Sequence, residues 1–458
     1  MRTTKRVALA VWLAVLVVAA FAGGRQIRWF NRTVFAGNAQ MAGPMAGLPG
    51  SGTPVADEAD SGDPADTLRD VLAYVYSEYV DKVGEPTKLA DGAVRSMAFA
   101  LDDPRTRFYD AKQWARFQRQ LSGEFEGIGA FLTVGKVKKG AVEQRRLRII
   151  APAPGGPADV AGVRAGDVVT EIDGRWVIAY DPRLDLNNMQ TREMDDRTYR
   201  QAFKDATKRL TDGMTLGRAL DRLNGLPLSK ATPDPADVKL TLERQGSPKP
   251  IKVTVHSAAY TLDPVSETRL DGVACLRITQ FNERAEKELG EALAAAGTAP
   301  VVIDLRNNAG GPVADTRSGA YAAAATLVGL LTDGGSMGSV VRSGGRKQPL
   351  PPAAERARPR RLAVVVNGGT AGLAEVAAAA LRDQGGARLV GSRSMGDGTY
   401  QKLVPLRAGG ALTISAGKFL TDKGASIEGV GLKPDMAVPE SEDPVRRAAG
   451  ALAQGQER

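Results

Sequence analysis

The apolar positions of this chain change period several times, and each change marks a new segment. After Arg2, Lys5 and Arg6 comes an uncharged, largely apolar run of sixteen residues, 7–22. It is short for a membrane-spanning helix of about 20 residues and slightly long for the apolar part of an export signal. Ala20-Phe21-Ala22 offers a small-residue cleavage site, so residues 1–24 read as a signal peptide or membrane anchor. The remainder is expected to be exported to the cell envelope, either anchored facing outward or released. Residues 25–64, rich in Gly, Ala and Pro from position 36, read as a flexible linker. Helical spacing of apolar residues then recurs at 67–80, 89–101 and 111–121, which predicts a small helical region over 65–122.

From Gly123 the pattern turns to strands and tight turns. Alternating runs at 238–244 and 251–256 end a β-rich segment, 123–257, whose one helix is expected at 214–223. A polar, charged insertion at about 179–212 interrupts it, with a helical stretch near 196–210; it is either a lid or a surface elaboration. From residue 260 strands and helices alternate as in a layered domain. Strands are expected at 273–278, 300–305, 362–366, 388–390 and 411–420, and helices at 283–296, within 311–331 and up to Leu381. The fold class is therefore α/β and multi-domain. An α/β core spans 258–438, and residues 439–458 read as a polar tail.

Composition narrows the chemistry. A length of 458 residues suggests two or three domains plus linkers. The formal charge of +9 would permit an acidic partner or a membrane surface. Its basic residues, however, fall in short groups at 136–139, 145–148 and 356–361 with almost no aromatic interleaving, so no nucleic acid partner is expected. The single cysteine, Cys275, cannot form an intramolecular disulfide and sits in an apolar run, which reads as core packing. One histidine excludes a zinc site built on several His and Cys ligands, and neither a metal nor a cofactor is expected. His256 lies in an alternating run and reads as half-buried and structural; any Ser-His-Asp triad would have to use it.

The densest chemistry lies in residues 364–401. A buried-looking strand passes through Gly368-Gly369 into an alanine-rich helix, then through a second strand to Asp397 between Gly396 and Gly398. A helix opening in this way presents unpaired N–H groups that can face an anion.

Several runs together resemble one family. Gly156-Pro157-Ala158-Asp159-Val160-Ala161-Gly162-Val163, Ala165-Gly166-Asp167 and Ile172-Asp173-Gly174 look like the centre of a PDZ domain. The resemblance implies that Gly127, Ile128, Gly129 and Ala130 form the loop whose N–H groups take a peptide's C-terminal carboxylate while the peptide adds as a strand. Leu101-Asp102-Asp103-Pro104, Asp304-Leu305-Arg306-Asn307-Asn308-Ala309-Gly310-Gly311, the turn from Asn367 to Glu375, Met395-Gly396-Asp397-Gly398 with Gln401, and the closure from Gly431 to Asp435 follow in order. Over residues 65–438 the chain is similar to the C-terminal processing, or tail-specific, serine peptidases. That likeness implies a ClpP/crotonase-like α/β core, a PDZ-like β-rich domain and a small N-terminal helical region.

The family's chemistry uses a serine nucleophile, a neutral lysine as general base and a glutamine that orients the lysine. Transferred position by position, the nucleophile falls on Gly372, three before Glu375, and the lysine on Asp397; Gln401 is retained. Gly310, Gly311 and Leu373 take the oxyanion-hole-like positions. Both reagents are missing. A carboxylate of ordinary pKa about 3.9 matches poorly to activating a hydroxyl near neutral pH, and it would repel an oxyanion. Thr370 reads as a helix N-cap, and Ser392 and Ser394 as turn residues.

The expectation is a non-catalytic family member that binds protein or peptide C-termini as adaptor, decoy or partner of an active relative. Two alternatives stay open: a hydrolase with rearranged chemistry at Thr370 or Ser394 with Asp397, and an envelope scaffold with a vestigial groove. A membrane contact through the N-terminal segment and a homo-oligomer also stay open.

Overall fold

The computed structural model describes residues 63–103, 105–139, 142–179, 195–226, 236–311, 316–333, 335–352, 360–407 and 409–454. The run at 7–22 and the linker lie outside the described residues. Among those described, no helix is long and apolar enough to cross a membrane. The chain divides into two units, Met1–Val83 and Gly84–Arg458. In the first, helix Pro64–Glu78 is capped by Asp63, which accepts from the Ala65 N–H, and none of the helix's residues is buried. Everything below belongs to the second unit.

Its centre is a six-stranded sheet ordered Val265–Leu270, Val273–Ile278, Val301–Asp304, Leu362–Val366, Arg388–Gly391 and Met436–Ala437. The first strand is antiparallel and the rest are parallel. Strands covered on both faces should be apolar throughout, and VVID and LAVVV are buried at every position. The two-residue side-chain period then sorts them. Val301, Ile303, Val364 and Val366 face three helices, Glu283–Ala295, Gly319–Leu331 and Leu373–Gly385. Val302, Ala363 and Val365 face the opposite side.

That opposite side is covered by helix Pro444–Ala453, within the segment expected to be a polar tail. Val445, Ala448, Ala449 and Leu452 fall at i, i+3, i+4 and i+7 and are all buried against the sheet. Asp443 caps the helix by accepting from the Val445 N–H at 3.0 Å, and Arg361 holds its end by donating to the Leu452 carbonyl at 2.8 Å. The apolar stripe is narrow and half alanine, which is why charge dominates the sequence reading.

A second, five-stranded sheet extends the core; Tyr400 and Phe419 meet edge to face across it, ring centroids 5.7 Å apart. Its long strand Ala411–Leu420 pairs antiparallel with Arg107–Tyr109, tying the N-terminal segment to the core. Helix Ala111–Leu121 follows, opened by a reciprocal capping box between Asp110 and Gln113.

The β-rich domain is a seven-stranded sheet in which Ala130–Lys139 lies at the edge, paired among the described residues only with Val142–Pro152. Helix Leu216–Leu223 flanks this edge, capped by Thr215. The inserted helix Asp196–Thr211 packs on the far strand, with Arg209 over the Trp176 ring at 5.0 Å. Cys275 is buried in the core as expected. His256 is not half-buried: it ends an edge strand with its side chain 72% exposed and its Nδ1 2.9 Å from Asp237.

Leu452→Ala tests the covering helix. Loss of a buried leucine here is expected to lower unfolding free energy by about 2–4 kcal/mol in a denaturant titration. An unchanged midpoint would mean the helix does not cover the sheet.

Candidate functional site

Two turns leave the carboxyl ends of adjacent parallel strands and lock together. In the first, Asp304 accepts from the Arg306 guanidinium at 2.9 and 2.8 Å and from its own turn's N–H, which fixes the start of Asn307–Gly311. In the second, Asn367 bridges back: its Nδ2 donates to Asn307 Oδ1 at 2.9 Å, and its Oδ1 accepts from the N–H groups of Asn307 and Gly369. The Ala371 N–H donates to the Asn308 carbonyl at 2.9 Å. Where the turns touch, a Cβ on Gly310 would collide with the Ala371 carbonyl oxygen and the Leu373 nitrogen, so only glycine fits.

Gly372 is the N-cap of helix Leu373–Gly385, at φ 56° and ψ −125°, with no side-chain cap. A Cβ there would meet only the Ala309 carbonyl oxygen, 3.5 Å away, without a clash, but the left-handed φ strains any residue other than glycine. Thr370, expected as the N-cap, serves otherwise. Its hydroxyl donates to the Leu305 carbonyl at 2.8 Å, accepts from the Asn367 N–H at 3.0 Å, and is buried. The reason is position: Thr370 still belongs to the turn and faces the first strand.

The oxyanion-hole-like set changes too. The Gly310 N–H is engaged by the Asn308 side chain at 2.8 Å. In the first helical turn, Ala374 bonds to Ala371, and Glu375 and Val376 bond to Gly372. Among the described residues the Leu373 N–H has no hydrogen-bond acceptor, and Gly311 lines the cleft.

Glu375, buried completely, organises the loop that carries Asp397. Its carboxylate accepts from the Ser394 hydroxyl at 2.5 Å, the Gly396 N–H at 2.8 Å and the Asp397 N–H at 2.7 Å. Burial pushes its carboxyl up to about 7, against the opposing pull of those three donors. Ser394 also accepts from the Leu432 N–H at 2.6 Å, so this buried hydroxyl joins the helix to the closure as well as shaping its turn. Ser392 is exposed.

Asp397 is thereby aimed at Arg105. The Arg105 guanidinium lies 3.1 Å from Asp397 and 2.9 Å from Glu428, bridging the two carboxylates. Burial raises the Asp397 carboxyl above its ordinary value; Arg105 pulls it back and Glu428 adds to the rise. Gln401 donates its Nε2 to the Arg105 backbone carbonyl at 3.1 Å, holding the cation's backbone in place. Arg105 and Glu428 escaped the sequence reading. Arg105 follows directly on the noted Leu101–Pro104 run, and Glu428 precedes the glycine closure, but no local pattern pairs residues 323 positions apart.

Asp397, Gln401, Ala309, Gly311, Arg105 and Arg107 line one wall of a cleft of about 160 Å³. The Ala130–Val134 edge, Leu220 and Asn224 line the other. The loop before that edge is less open than expected: Gly127, Ile128, Gly129 and Ala130 are all buried. The Ile128 N–H donates to the Leu223 carbonyl at 2.9 Å, and a side chain on Gly127 would collide with that same carbonyl. The carboxyl end of the groove helix therefore covers the loop. No group of His, Cys, Asp and Glu suited to a metal ion occurs among the described residues.

Comparison with known proteins places these features. Residues 272–438 match the family model for peptidase family S41, and residues 148–182 match a PDZ domain. A carboxy-terminal-processing protease of Bartonella bacilliformis is 26% identical over 383 residues, covering 81% of this chain and 74% of the relative. The carboxy-terminal processing protease CtpA of Bacillus subtilis is 28% identical over 378 residues, covering 81% and 68%. The solved structure of a photosystem II D1 C-terminal processing protease matches with 25% identity and a TM-score of 0.58, covering 85% of this chain and 91% of that one.

The Glu375 clamp has a pH signature. A carboxyl raised from 4.5 to about 7 binds its proton more tightly folded than unfolded, so its contribution is full below 4.5 and is lost as pH rises to 7. The loss amounts to about 3 kcal/mol. Glu375→Gln is expected to flatten that fall while lowering stability at acid pH by about 1–3 kcal/mol, because an amide donor replaces one acceptor. Denaturant titrations from pH 4 to 8 read both; a variant with the wild-type slope would contradict the clamp.

Proposed function

We propose, for a chain that carries a peptidase family S41 domain and a PDZ domain, that it binds the C-terminal tails of proteins or peptides without cutting them. The observation that carries this reading is the ion cluster at the expected base position. Asp397, bridged to Arg105 and Glu428, stands opposite a glycine that has no nucleophile to offer. A general base must take a proton from a hydroxyl within hydrogen-bond reach. The nearby hydroxyls of Thr370 and Ser394 are instead buried and donate to the Leu305 carbonyl and to Glu375.

Tail recognition rests on the open strand edge from Ala130 to Val134, beside Leu220. An extended peptide adds to such an edge through main-chain bonds, and its carboxylate takes the place of the Leu223 carbonyl at Ile128. Export to the cell envelope, suggested by the N-terminal run, would present the groove to envelope proteins.

One observation favours a second reading, a scaffold with a closed groove: the carboxylate loop is buried and its Ile128 N–H is already bonded. Calorimetry with a decapeptide ending in Ala-Val-Ala-Leu, as free acid and as amide, separates the two. Tail binding predicts affinity for the free acid, at least about tenfold loss for the amide, and an intact peptide by mass spectrometry after prolonged incubation. Absence of binding to either form favours the scaffold. Cleavage that disappears in Thr370→Ala or Ser394→Ala would overturn the proposal.

A further inference from the structure

Next to the cleft lies a second cavity of about 410 Å³, into which the same strand edge continues at Val134. Its floor is apolar, formed by Phe99, Phe108, Leu216 and Leu220. Its rim is cationic, with Arg95, Arg107 and Arg145. Two of these have acidic neighbours: Arg95 lies 3.8 Å from Asp110, and Arg145 pairs with Asp102 while its guanidinium covers the Phe99 ring at 5.6 Å. The one carboxylate on the cavity wall, Asp103, accepts from the Thr106 hydroxyl at 2.6 Å and from the Arg105 N–H.

Arg107 differs. It lines both the cleft and the cavity, and it lies over the Tyr109 ring at 5.6 Å. Among the described residues no carboxylate comes within ion-pair distance of it. A half-buried guanidinium without a counter-charge among the described residues, set over an apolar trough beside an open strand edge, is complementary to an anion carried on an extended apolar chain.

The register places that anion. A tail whose last residue lies opposite Ala130 advances about 3.3 Å per residue along the edge. Its fifth residue from the end then lies opposite Val134, where cleft and cavity meet beside Arg107. Resting on the tail-binding reading above, we infer that the tails this groove selects are apolar at the end and carry Asp or Glu at about the fifth position from it, paired with Arg107. The trough takes the apolar side chains that precede the acid.

The test uses labelled free-acid decapeptides, all ending in Ala-Val-Ala-Leu, with Glu, Gln or Lys at the fifth and sixth positions from the end. Fluorescence anisotropy of the full chain is expected to rank Glu above Gln above Lys, with Glu about fivefold tighter than Lys. Salt should weaken the Glu peptide alone. Arg107→Gln should erase the ranking, Arg107→Glu reverse it and Arg107→Lys keep it, with melting curves confirming that each variant is folded. Equal affinity of all three peptides for the wild type would overturn the inference and leave tail binding standing. A ranking that survives in Arg107→Gln would also overturn it. No binding of any free-acid peptide would overturn the tail-binding reading, and this one with it.

Discussion

A single buried carboxylate sets the geometry on which the site depends. Glu375 sits one turn into a helix that opens at Gly372, and it gathers three donors from Ser394, Gly396 and Asp397. Through Ser394 the same contact reaches the Leu432 N–H and so the closing segment. Leaving any of these buried donors unsatisfied would cost on the order of 1–3 kcal/mol. Helix start, second loop and closure therefore move as one piece. The clamp draws on Ser394 and two backbone N–H groups and needs neither a serine at position 372 nor a lysine at position 397, so the frame stands with neither in place.

What occupies the site is a charge cluster of a different kind. Arg105 enters from the segment just before the short strand Arg107–Tyr109 and is held twice, by its guanidinium on Asp397 and Glu428 and by its carbonyl on Gln401. Removing one member of a partly buried pair leaves the other charge uncompensated, so such clusters resist piecemeal change. They also fix neighbours: the same segment carries Arg107 into the mouth of the groove. The cation that holds Asp397 and the cation presented at the groove thus lie on one wall and share one stretch of backbone.

Much of the fold was legible because central strands with both faces covered leave apolar runs, and half-covered strands and helices keep their own period. The strands Val273–Ile278, Leu362–Val366 and Ala411–Leu420, and the helix Ala111–Leu121, were read to the residue. The helix Pro444–Ala453 was missed because its buried stripe is only four residues, two of them alanine, whose small side chain contributes little signal beside two arginines. At the site, Gly372, Asp397 and Gln401 could be located by their spacing from Glu375 and from each other. Arg105 could not, because its partners are brought to it by tertiary packing alone. The same limit hid the Ile128–Leu223 bond, which changes an open carboxylate loop into a covered one.

The central claim is that this frame holds no activated nucleophile. Incubation of the full chain with a serine-directed fluorophosphonate, read by intact-mass spectrometry, tests it most directly. The account predicts an unshifted mass after prolonged exposure, since the Thr370 and Ser394 hydroxyls are buried and committed as donors, to the Leu305 carbonyl and to the enclosed Glu375 clamp. A stoichiometric adduct mapping to Thr370, Ser392 or Ser394, and lost on replacing that residue by alanine, would contradict it.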